Sequence, residues 1–183
     1  MKKLFLIITF FCMGAIMQAN AQNQSSNGKI LVAYFSWGGT TRSLAEQIHG
    51  KTGGDLFEIK TVTAYSSNYN TVLDQAQNEK RQNSRPPLAT HVENIAQYDI
   101  VFIGFPNWWA DMPMAVYSFL EEYDFSGKRI VPFCTHGGSG FSGTIRTLRN
   151  KLTNSTLLEG FDVSGKASQS NVDRWLRKIG VIN

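Results

Sequence analysis

Hydroxyl side chains and adjacent glycines are concentrated in one short segment of this sequence, formed by Ser36, Trp37, Gly38, Gly39, Thr40 and Thr41. The apolar run at residues 30–35 predicts a buried strand before it, and the spacing of Leu44, Ala45 and Ile48 predicts a helix after it that ends near Gly50. A glycine-rich turn between strand and helix exposes backbone N–H groups at the positive end of the helix dipole, which favours a phosphate. The alternative is an ordinary turn in which glycine only provides tightness.

The composition of this loop indicates which kind of phosphate it suits. It contains no Gly-x-Gly-x-x-Gly, and no lysine follows its glycines as in a Walker loop, so neither common nucleotide-binding fingerprint is present. Its hydroxyl groups suit a terminal phosphate monoester, because each of the three phosphate oxygens can accept from a hydroxyl or amide donor.

Two adjacent tryptophans dominate a second loop, which follows the apolar run at residues 100–104 and precedes Pro113. Apolar surface at a loop usually serves binding, so this loop predicts a wall for a flat ligand. The alternative is that the tryptophans only cover the end of the sheet. The residues predicted to form the wall are Pro106, Asn107, Trp108 and Trp109.

A third loop follows the apolar run at residues 130–134 and consists of Thr135, His136, Gly137, Gly138, Ser139 and Gly140. Pro132 argues against a central strand here, because proline withholds one hydrogen-bond donor from the ladder. His136 is the one side chain predicted to tune a cofactor, either protonated or as a hydrogen-bond donor, and the alternative is a solvated loop histidine.

The other candidate reactive groups are predicted to be structural. Cys134 stands at the end of a strand, where a cysteine is more often a small buried hydrophobe than a redox thiol. We expect His49 and His91 on the surface, and no metal-binding spacing joins the histidines to Cys134 or to an acidic cluster.

The elements that must position the three loops alternate between strand and helix. Such an order with short connections predicts an α/β fold, a three-layer doubly wound parallel sheet of five strands with helices on both faces. The predicted strands are 30–35, 56–59 at an edge, 100–104, 130–134 and either 156–158 or 161–163; the later helices are 69–81, 113–123, one containing Ile145, Leu148 and Leu152, and one that starts after Ser170 or Asn171 and is closed by Gly180.

The three loops follow strands one, three and four, so we expect them at one edge of the sheet, where ligands of such folds bind. A phosphate site beside aromatic walls describes a phosphorylated planar heterocycle, and among the common cofactors FMN fits best. Residues 65–81 form either a lid over this site or a solvated connection. Lys80, Arg81 and Arg85 within and after this segment could meet a phosphorylated nicotinamide cosubstrate, although such charges are usually a solvated face.

The N-terminus has the pattern of an export signal. Lys2 and Lys3 precede the apolar run 4–16, and a small-x-small cleavage site at residues 19–21 follows. We therefore predict a signal peptide at 1–21, a disordered leader at 22–28 and a domain at 29–183 in an exported protein, periplasmic or secreted. A lipoprotein anchor at Cys12 is the alternative.

The composition and charge of the chain argue against nucleic acid and membranes as partners. The chain is 42% hydrophobic and 17% charged, which is typical of a compact core, and loss of Lys2 and Lys3 lowers its net charge from +4 to 4 − 2 = +2. The remaining Lys and Arg form no run, so we predict no nucleic-acid footprint and no polybasic membrane patch. The apolar run is shorter than the ~20 residues of a spanning helix, so we predict no stable membrane insertion after cleavage.

On these loops the chain resembles the flavodoxin-like family, in particular its exported or quinone-reductase-like branch with Pro-x-Trp-Trp and Thr-x-Gly-Gly-Ser-Gly loops. The resemblance covers residues 29–180 and implies the strand order 2-1-3-4-5 with FMN as cofactor. It also implies that the first loop holds the FMN phosphate, that residues 106–109 line the isoalloxazine ring with Trp108 or Trp109 stacked on it, and that residues 135–140 approach its pyrimidine side.

Two positions depart from the family pattern. Gly38 replaces a threonine of the usual phosphate loop and removes one hydroxyl donor. Ala110 stands at or near a glycine whose peptide rotates toward reduced flavin, and a Cβ makes positive φ costly. We therefore expect that a neutral semiquinone is not strongly favoured and that two-electron reduction of a small acceptor such as a quinone dominates. The alternatives are a one-electron carrier to a protein partner and a flavin-binding module without turnover; electron donor and acceptor are unknown.

Overall fold

A parallel sheet in the order β2-β1-β3-β4-β5 forms the centre of the protein, and a sixth strand, β6, also pairs with β4. The computed structural model describes residues 28–183; the predicted signal peptide and the leader, apart from Gly28, lie outside the described residues. The strands are β1 Ile30–Tyr34, β2 Asp55–Glu58, β3 Ile100–Pro106, β4 Arg129–His136, β5 Thr156–Leu157 and β6 Phe161–Ser164. The helices are α1 Thr40–Thr52, α2 Tyr69–Gln82, α3 Met114–Glu122, α4 Thr144–Lys151 and α5 Gln169–Lys178.

The strands of the sheet centre are buried on both faces. Successive residues of β1 point to opposite faces, so Leu31 and Ala33 join one apolar cluster with α3 and α4, while Val32 joins a second cluster with α1 and α5. An uninterrupted apolar strand is required because neither face of such a strand meets water. This three-layer arrangement confirms the predicted fold class and strand order.

Pro132 lies within β4, and the structure shows how a central strand accommodates it. Leu158 N donates to Ile130 O, so the backbone hydrogen-bonding groups of Ile130 point toward β5. Backbone groups alternate in direction along a strand, so Pro132, two residues later, has its backbone N and C=O on this same side. The edge is interrupted at this point: β5 ends at Leu157, and β6 begins its pairing at Phe161 opposite Phe133. Both alternatives for the fifth strand therefore form, and the break between them lies beside the residue that has no N–H to donate.

Several helix ends differ from the predicted ones because capping residues set them. Helix α1 continues to Thr52, and Gly53 terminates it with a φ of 67° instead of an end near Gly50. Pro113 precedes α3 as its N-cap. Helix α5 begins at Gln169, earlier than predicted, because the Ser168 side chain accepts a hydrogen bond from Asn171 N. None of the helices between residues 28 and 183 has both the length and the apolar character needed to cross a bilayer.

Candidate functional site

The three predicted loops surround one cavity of about 650 Å³ at the carboxyl edge of the sheet. This volume lies within the range of ordinary small-molecule sites. Its lining combines residues of the three loops with part of α2 and one glycine after β6, namely Ser36, Trp37, Gly38, Thr40, Thr41, Tyr69, Val72, Leu73, Ala76, Pro106, Asn107, Trp108, Trp109, Thr135, His136, Gly137 and Gly165. The predicted site residues outside this lining are Gly39, Gly138, Ser139 and Gly140.

The first loop presents open space above two glycines at the start of α1. Gly39 is the N-cap with a φ of 85°, and its N–H donates to Ser36 Oγ at 3.1 Å. No atom lies within 4 Å of the position that a Cβ would take at either Gly38 or Gly39. The first N–H groups of a helix have no partner within it, so this end offers donors and room to an anion.

The loops are joined to one another by hydrogen bonds between residues far apart in sequence. Thr41 Oγ1 and Thr135 Oγ1 lie 2.8 Å apart and link the first loop to the third. Asn107 Nδ2 donates to Gly140 O at 2.8 Å and links the second loop to the third. Gly140 does not line the cavity, but its carbonyl group fixes the side chain of Asn107, which does.

The two tryptophans of the second loop have different environments. Trp108 packs edge-on against Phe35 and Tyr65, with ring centroids 5.4 and 5.3 Å away. Trp109 is 44% exposed, lines the cavity and donates from Nε1 to Leu73 O at 3.1 Å. Trp108 therefore belongs largely to the core, and Trp109 presents the free aromatic face.

A tight turn carries these tryptophans. Trp108 N donates to Asp111 O at 2.8 Å, and Asp111 N donates to Trp108 O at 3.0 Å. The two central residues, Trp109 and Ala110, have φ values of 53° and 60°. Positive φ at both central positions is the pattern of a type I′ turn, which normally contains glycine or asparagine. Two residues that carry a Cβ therefore have a left-handed backbone conformation, which has a steric cost at each of them.

Lys80 on α2 holds this turn in place. Its Nζ donates to Trp109 O at 2.5 Å and lies 3.6 Å from Asp111 Oδ2. Asp111 Oδ1 in turn accepts from Met112 N at 2.8 Å and from Tyr117 Oη at 2.9 Å. Burial and the hydrogen bond to Asp111 raise the pKa of Tyr117 to about 12, so its hydroxyl keeps the proton that it donates. Lys80 thus serves the second loop within the protein.

His136 is bonded within the protein on both sides of its ring. Gly138 N donates to Nδ1 at 2.9 Å, so Nδ1 is the unprotonated nitrogen and Nε2–H donates to Asp162 Oδ2 at 3.0 Å. The side chain is only 7% exposed, so His136 is not a solvated loop histidine. A hydrogen bond from this ring to a bound cofactor would require one of the two contacts to break.

Helix α2 lines the cavity opposite the loops. None of its lining residues was among the site residues predicted from the sequence. Tyr69, Val72, Leu73 and Ala76 have the spacing of one helix face, which is the signal that could have found them. The segment before the helix is attached to the first loop, because Trp37 Nε1 donates to Ser66 O at 2.8 Å. Residues 65–81 therefore cover one side of the cavity, as the lid alternative requires.

Cys134, His49 and His91, the other side chains considered for chemistry, have the structural roles predicted for them. Burial raises the pKa of the Cys134 thiol to about 12, which confirms the prediction of a small buried hydrophobe. His49 and His91 are exposed, as predicted. Within residues 28–183, no cluster of His, Cys, Asp and Glu has the arrangement of a metal site.

The sequence profile of the flavodoxin family matches residues 29–179, which is most of the chain. The chain belongs to the flavodoxin family. A solved structure from Bacteroides eggerthii, assigned as a flavoprotein, shares 35% identity with a TM-score of 0.76 and covers 84% of this chain and 98% of its own. A second, from Bacteroides uniformis, shares 32% identity with a TM-score of 0.75 and covers 82% and 99%.

A more distant structural neighbour contains the cofactor. The flavoprotein of Lactobacillus acidophilus, crystallised in complex with FMN, shares 20% identity with a TM-score of 0.68, covering 81% of this chain and 98% of its own. At that identity the likeness supports the flavodoxin fold alone. No curated protein matches the chain.

In this member of the flavodoxin family we expect Ala110→Gly to raise the free energy of unfolding by about 0.5–1 kcal/mol. Glycine adopts the observed positive φ without the steric cost of a Cβ, and this gain exceeds its greater entropy in the unfolded chain. Urea unfolding of the apoprotein measures the change. Ala115→Gly in the regular helix α3 is the control and should instead destabilise by about 1 kcal/mol; equal losses in the two variants would show that the turn is unstrained.

Arg85 is engaged away from the cavity of this flavodoxin-family chain, so of the three cations considered for a nicotinamide cosubstrate only Arg81 has no acidic partner within residues 28–183. Its Nε and Nη2 donate to the two oxygens of Glu121 at 2.6 and 2.8 Å, and Lys151 also donates to Glu121. The hydrogen bond from Arg85, followed by that from Lys151, lowers the pKa of Glu121 to about 2. This triad connects the segment after α2 with α3 and α4.

The Glu121 triad predicts a loss of stability in acid. A carboxylate whose pKa is lower in the folded chain stabilises it above the ordinary value of 4.5, and the contribution disappears as the pH falls toward about 2. Because Glu121 is substantially exposed, we expect a contribution of only about 1 kcal/mol. When the pH is lowered through this range, the urea midpoint of unfolding should fall further for the natural chain than for Glu121→Gln. Equal falls in the two proteins would contradict the expectation.

Proposed function

We propose that this chain is an exported FMN-dependent oxidoreductase that passes two electrons to a small acceptor such as a quinone. The observation that carries the proposal is the cavity that joins an open, donor-rich helix start to the exposed face of Trp109. Membership of the flavodoxin family, together with the FMN complex of the Lactobacillus acidophilus neighbour, supports FMN as the cofactor. Export is proposed from the signal-peptide pattern alone.

The residues present fit FMN part by part. The helix start at Thr40 and Thr41, with the space above Gly38, suits the terminal phosphate. Trp109 and Tyr69 offer aromatic surface to a flat ring, and the loop after β4 lies beside them. FMN supplies the redox chemistry when it is bound, and the protein binds it, orients it and shields one side with α2.

The structure changes the reason for preferring two-electron chemistry. Ala110 already adopts the positive φ that its Cβ was expected to make costly, so this cost is present before any peptide rotation and gives no reason against it. Instead, Trp109 O accepts from Lys80, and rotation of the peptide after Trp109 would break a hydrogen bond to a charged group. The net charge of +2 expected after signal-peptide cleavage also gives no overall acidic surface of the kind that steers acidic carriers to basic partners.

The visible spectrum of the purified mature chain tests the cofactor. We expect a yellow protein, or a colourless one that becomes yellow with FMN. Titration with riboflavin is the matched control, because it has the same ring without the phosphate and should bind more weakly. A chain that takes up neither flavin contradicts the oxidoreductase, the one-electron carrier and the flavin-binding module alike, and equal affinities would remove the phosphate role of the first loop.

Electron acceptors distinguish the enzyme from the alternatives. We expect the reduced holoprotein to be reoxidised by quinones without accumulation of a one-electron form during photoreduction. Accumulation of that form in high yield would favour the carrier of single electrons to a protein, and a flavin that no acceptor reoxidises would favour a binding module without turnover. Steady-state assays with NADH and NADPH test the donor.

A further inference from the structure

Helix α2 differs from the other helices in what its buried side chains contact. Val72 and Ala76 are its two buried residues, and neither belongs to either of the two apolar clusters that the described chain forms on the faces of the sheet. Each of the other four helices between residues 28 and 183 contributes at least one buried side chain to one of these clusters. Val72 and Ala76 line the cavity instead, together with Tyr69 and Leu73. The apolar face of α2 is therefore directed at the space that the flavin is proposed to fill.

A second cavity, of about 350 Å³, lies along another side of α2. Gln75 and Glu79 of the helix line it, together with residues that precede and follow the helix. Within it the Tyr65 hydroxyl donates to Glu79 Oε2 at 2.7 Å. A helix of 14 residues is marginal by itself in water, because most helical stability in proteins comes from the packing of an apolar face. We therefore expect α2 to be less stable than the helices that pack on the sheet.

Hydrogen bonds from the site loops fasten α2 over the cavity. Trp109 Nε1 donates to Leu73 O at 3.1 Å, and Lys80 Nζ donates to Trp109 O at 2.5 Å. Just before the helix, Trp37 Nε1 donates to Ser66 O at 2.8 Å. Water can replace partly exposed hydrogen bonds of this kind at a small net cost. The contacts that hold α2 can therefore break while the core stays intact.

The segment that carries α2 leaves the sheet and returns to it at one place. Val62 N donates to Pro87 O at 2.9 Å, and Ala89 N donates to Lys60 O at 2.8 Å. Leu88, beside these bonds, is buried in the core. The two ends of the segment are thus joined to each other, so α2 can move away from the cavity without a change in the sheet.

We propose that α2, Tyr69–Gln82, is a lid that opens as one unit in the apoprotein and that a bound flavin ring closes. Closure by the ring rests on the proposed function, and the opening does not. The ring supplies to α2 the apolar surface that the core supplies to the other helices. A ligand that binds only the closed form stabilises that form by mass action.

Amide hydrogen exchange of the apoprotein, followed by NMR, tests the opening without FMN. We expect the amides of residues 73–81 to be protected at least about tenfold less than those of α3, and by similar factors along the middle of the helix. Equal protection of α2 and α3 would overturn the proposal. Loss of protection confined to the ends of α2 would be ordinary fraying and would overturn it as well.

A pair of neighbouring variants tests whether the contact with the second loop fastens the lid. Lys80→Met removes the donor to Trp109 O and should accelerate exchange in α2 of the apoprotein roughly three- to tenfold. Arg81→Met is the matched control, because it removes the same charge from the same helix, where Arg81 donates only to Asn78 within α2. Met has nearly the helix propensity of Lys and Arg, so the control should change exchange less than about twofold. Equal acceleration in the two variants would overturn the proposal.

FMN and inorganic phosphate test what closes the lid. Free FMN at about ten times its dissociation constant should slow exchange in α2 about tenfold. Inorganic phosphate should leave it unchanged, because the start of α1 stays in place when α2 opens. Equal protection by phosphate, or bound FMN that leaves α2 exchange unchanged, would overturn closure by the ring. A chain that takes up no FMN but opens α2 and discriminates Lys80→Met from Arg81→Met supports the lid and fails only the proposed function.

Discussion

Trp109→Ala is expected to weaken FMN binding roughly five- to a hundredfold, because stacking of a flat heterocycle on an aromatic side chain contributes ~1–3 kcal/mol. Trp109 is the half-exposed tryptophan of the cavity wall, and its ring is held by the hydrogen bond from Nε1 to Leu73 O. Fluorescence titration of the apoprotein with FMN measures the dissociation constant. The free energy of unfolding of the apoprotein should change by less than about 1 kcal/mol, since one partly exposed hydrogen bond is lost.

Trp108→Ala is the control for this prediction and should have the opposite profile. Trp108 packs against Phe35 and Tyr65, so its removal should lower the free energy of unfolding by about 3 kcal/mol. In the folded fraction, FMN affinity should fall less than in Trp109→Ala. If Trp108→Ala keeps its stability and loses FMN affinity while Trp109→Ala does neither, the assignment of core and wall tryptophans is wrong.

Gly38→Thr is expected to tighten FMN binding roughly tenfold or more, which would be a gain at a natural residue. A hydrogen bond to a charged group contributes ~1.5–3 kcal/mol, and this loop lacks the hydroxyl that the flavodoxin-like pattern places here. The structure allows the change, because no atom lies within 4 Å of the added Cβ and the φ of Gly38 is not in the left-handed region. Titration calorimetry with FMN and with riboflavin measures the effect.

Two variants separate the hydroxyl from other consequences of this substitution. Gly38→Val has nearly the same shape without a donor, so it should not tighten binding. Gly39→Thr places a Cβ at a φ of +85° and should lower the free energy of unfolding by about 1–2 kcal/mol. The gain in Gly38→Thr should be absent with riboflavin, which has no phosphate. A gain that is equal for riboflavin or shared by Gly38→Val would contradict a new bond to the phosphate.

The sheet and its three loops were predictable because their signals are local. Strands buried on both faces require uninterrupted apolar runs, and residues 30–35 and 100–104 have them. Glycine and hydroxyl residues directly after such runs mark turns at the carboxyl edge. Helix ends were less predictable: Gly53 and Ser168 terminate and begin helices through cap geometry, and several nearby residues could have served equally in the sequence alone.

The environment of each site residue required the tertiary structure. Trp108 and Trp109 are adjacent and chemically identical in the sequence, and both line the cavity, yet Trp108 packs against core aromatic rings whereas Trp109 is half-exposed. The ring of His136 has its nitrogens fixed by Gly138 and by Asp162, which belongs to a different strand.

The sequence by itself determined the doubly wound α/β fold, the common edge of the three loops and the chemistry that they offer. Only the tertiary structure decided that α2 forms a wall of the cavity, that Lys80 holds the strained turn at Trp109 and that Pro132 faces a broken edge strand. The physical reason is the range of the interactions. Strand burial and turn chemistry depend on residues a few positions apart, whereas these three features depend on contacts between segments about thirty residues apart, which no local pattern encodes.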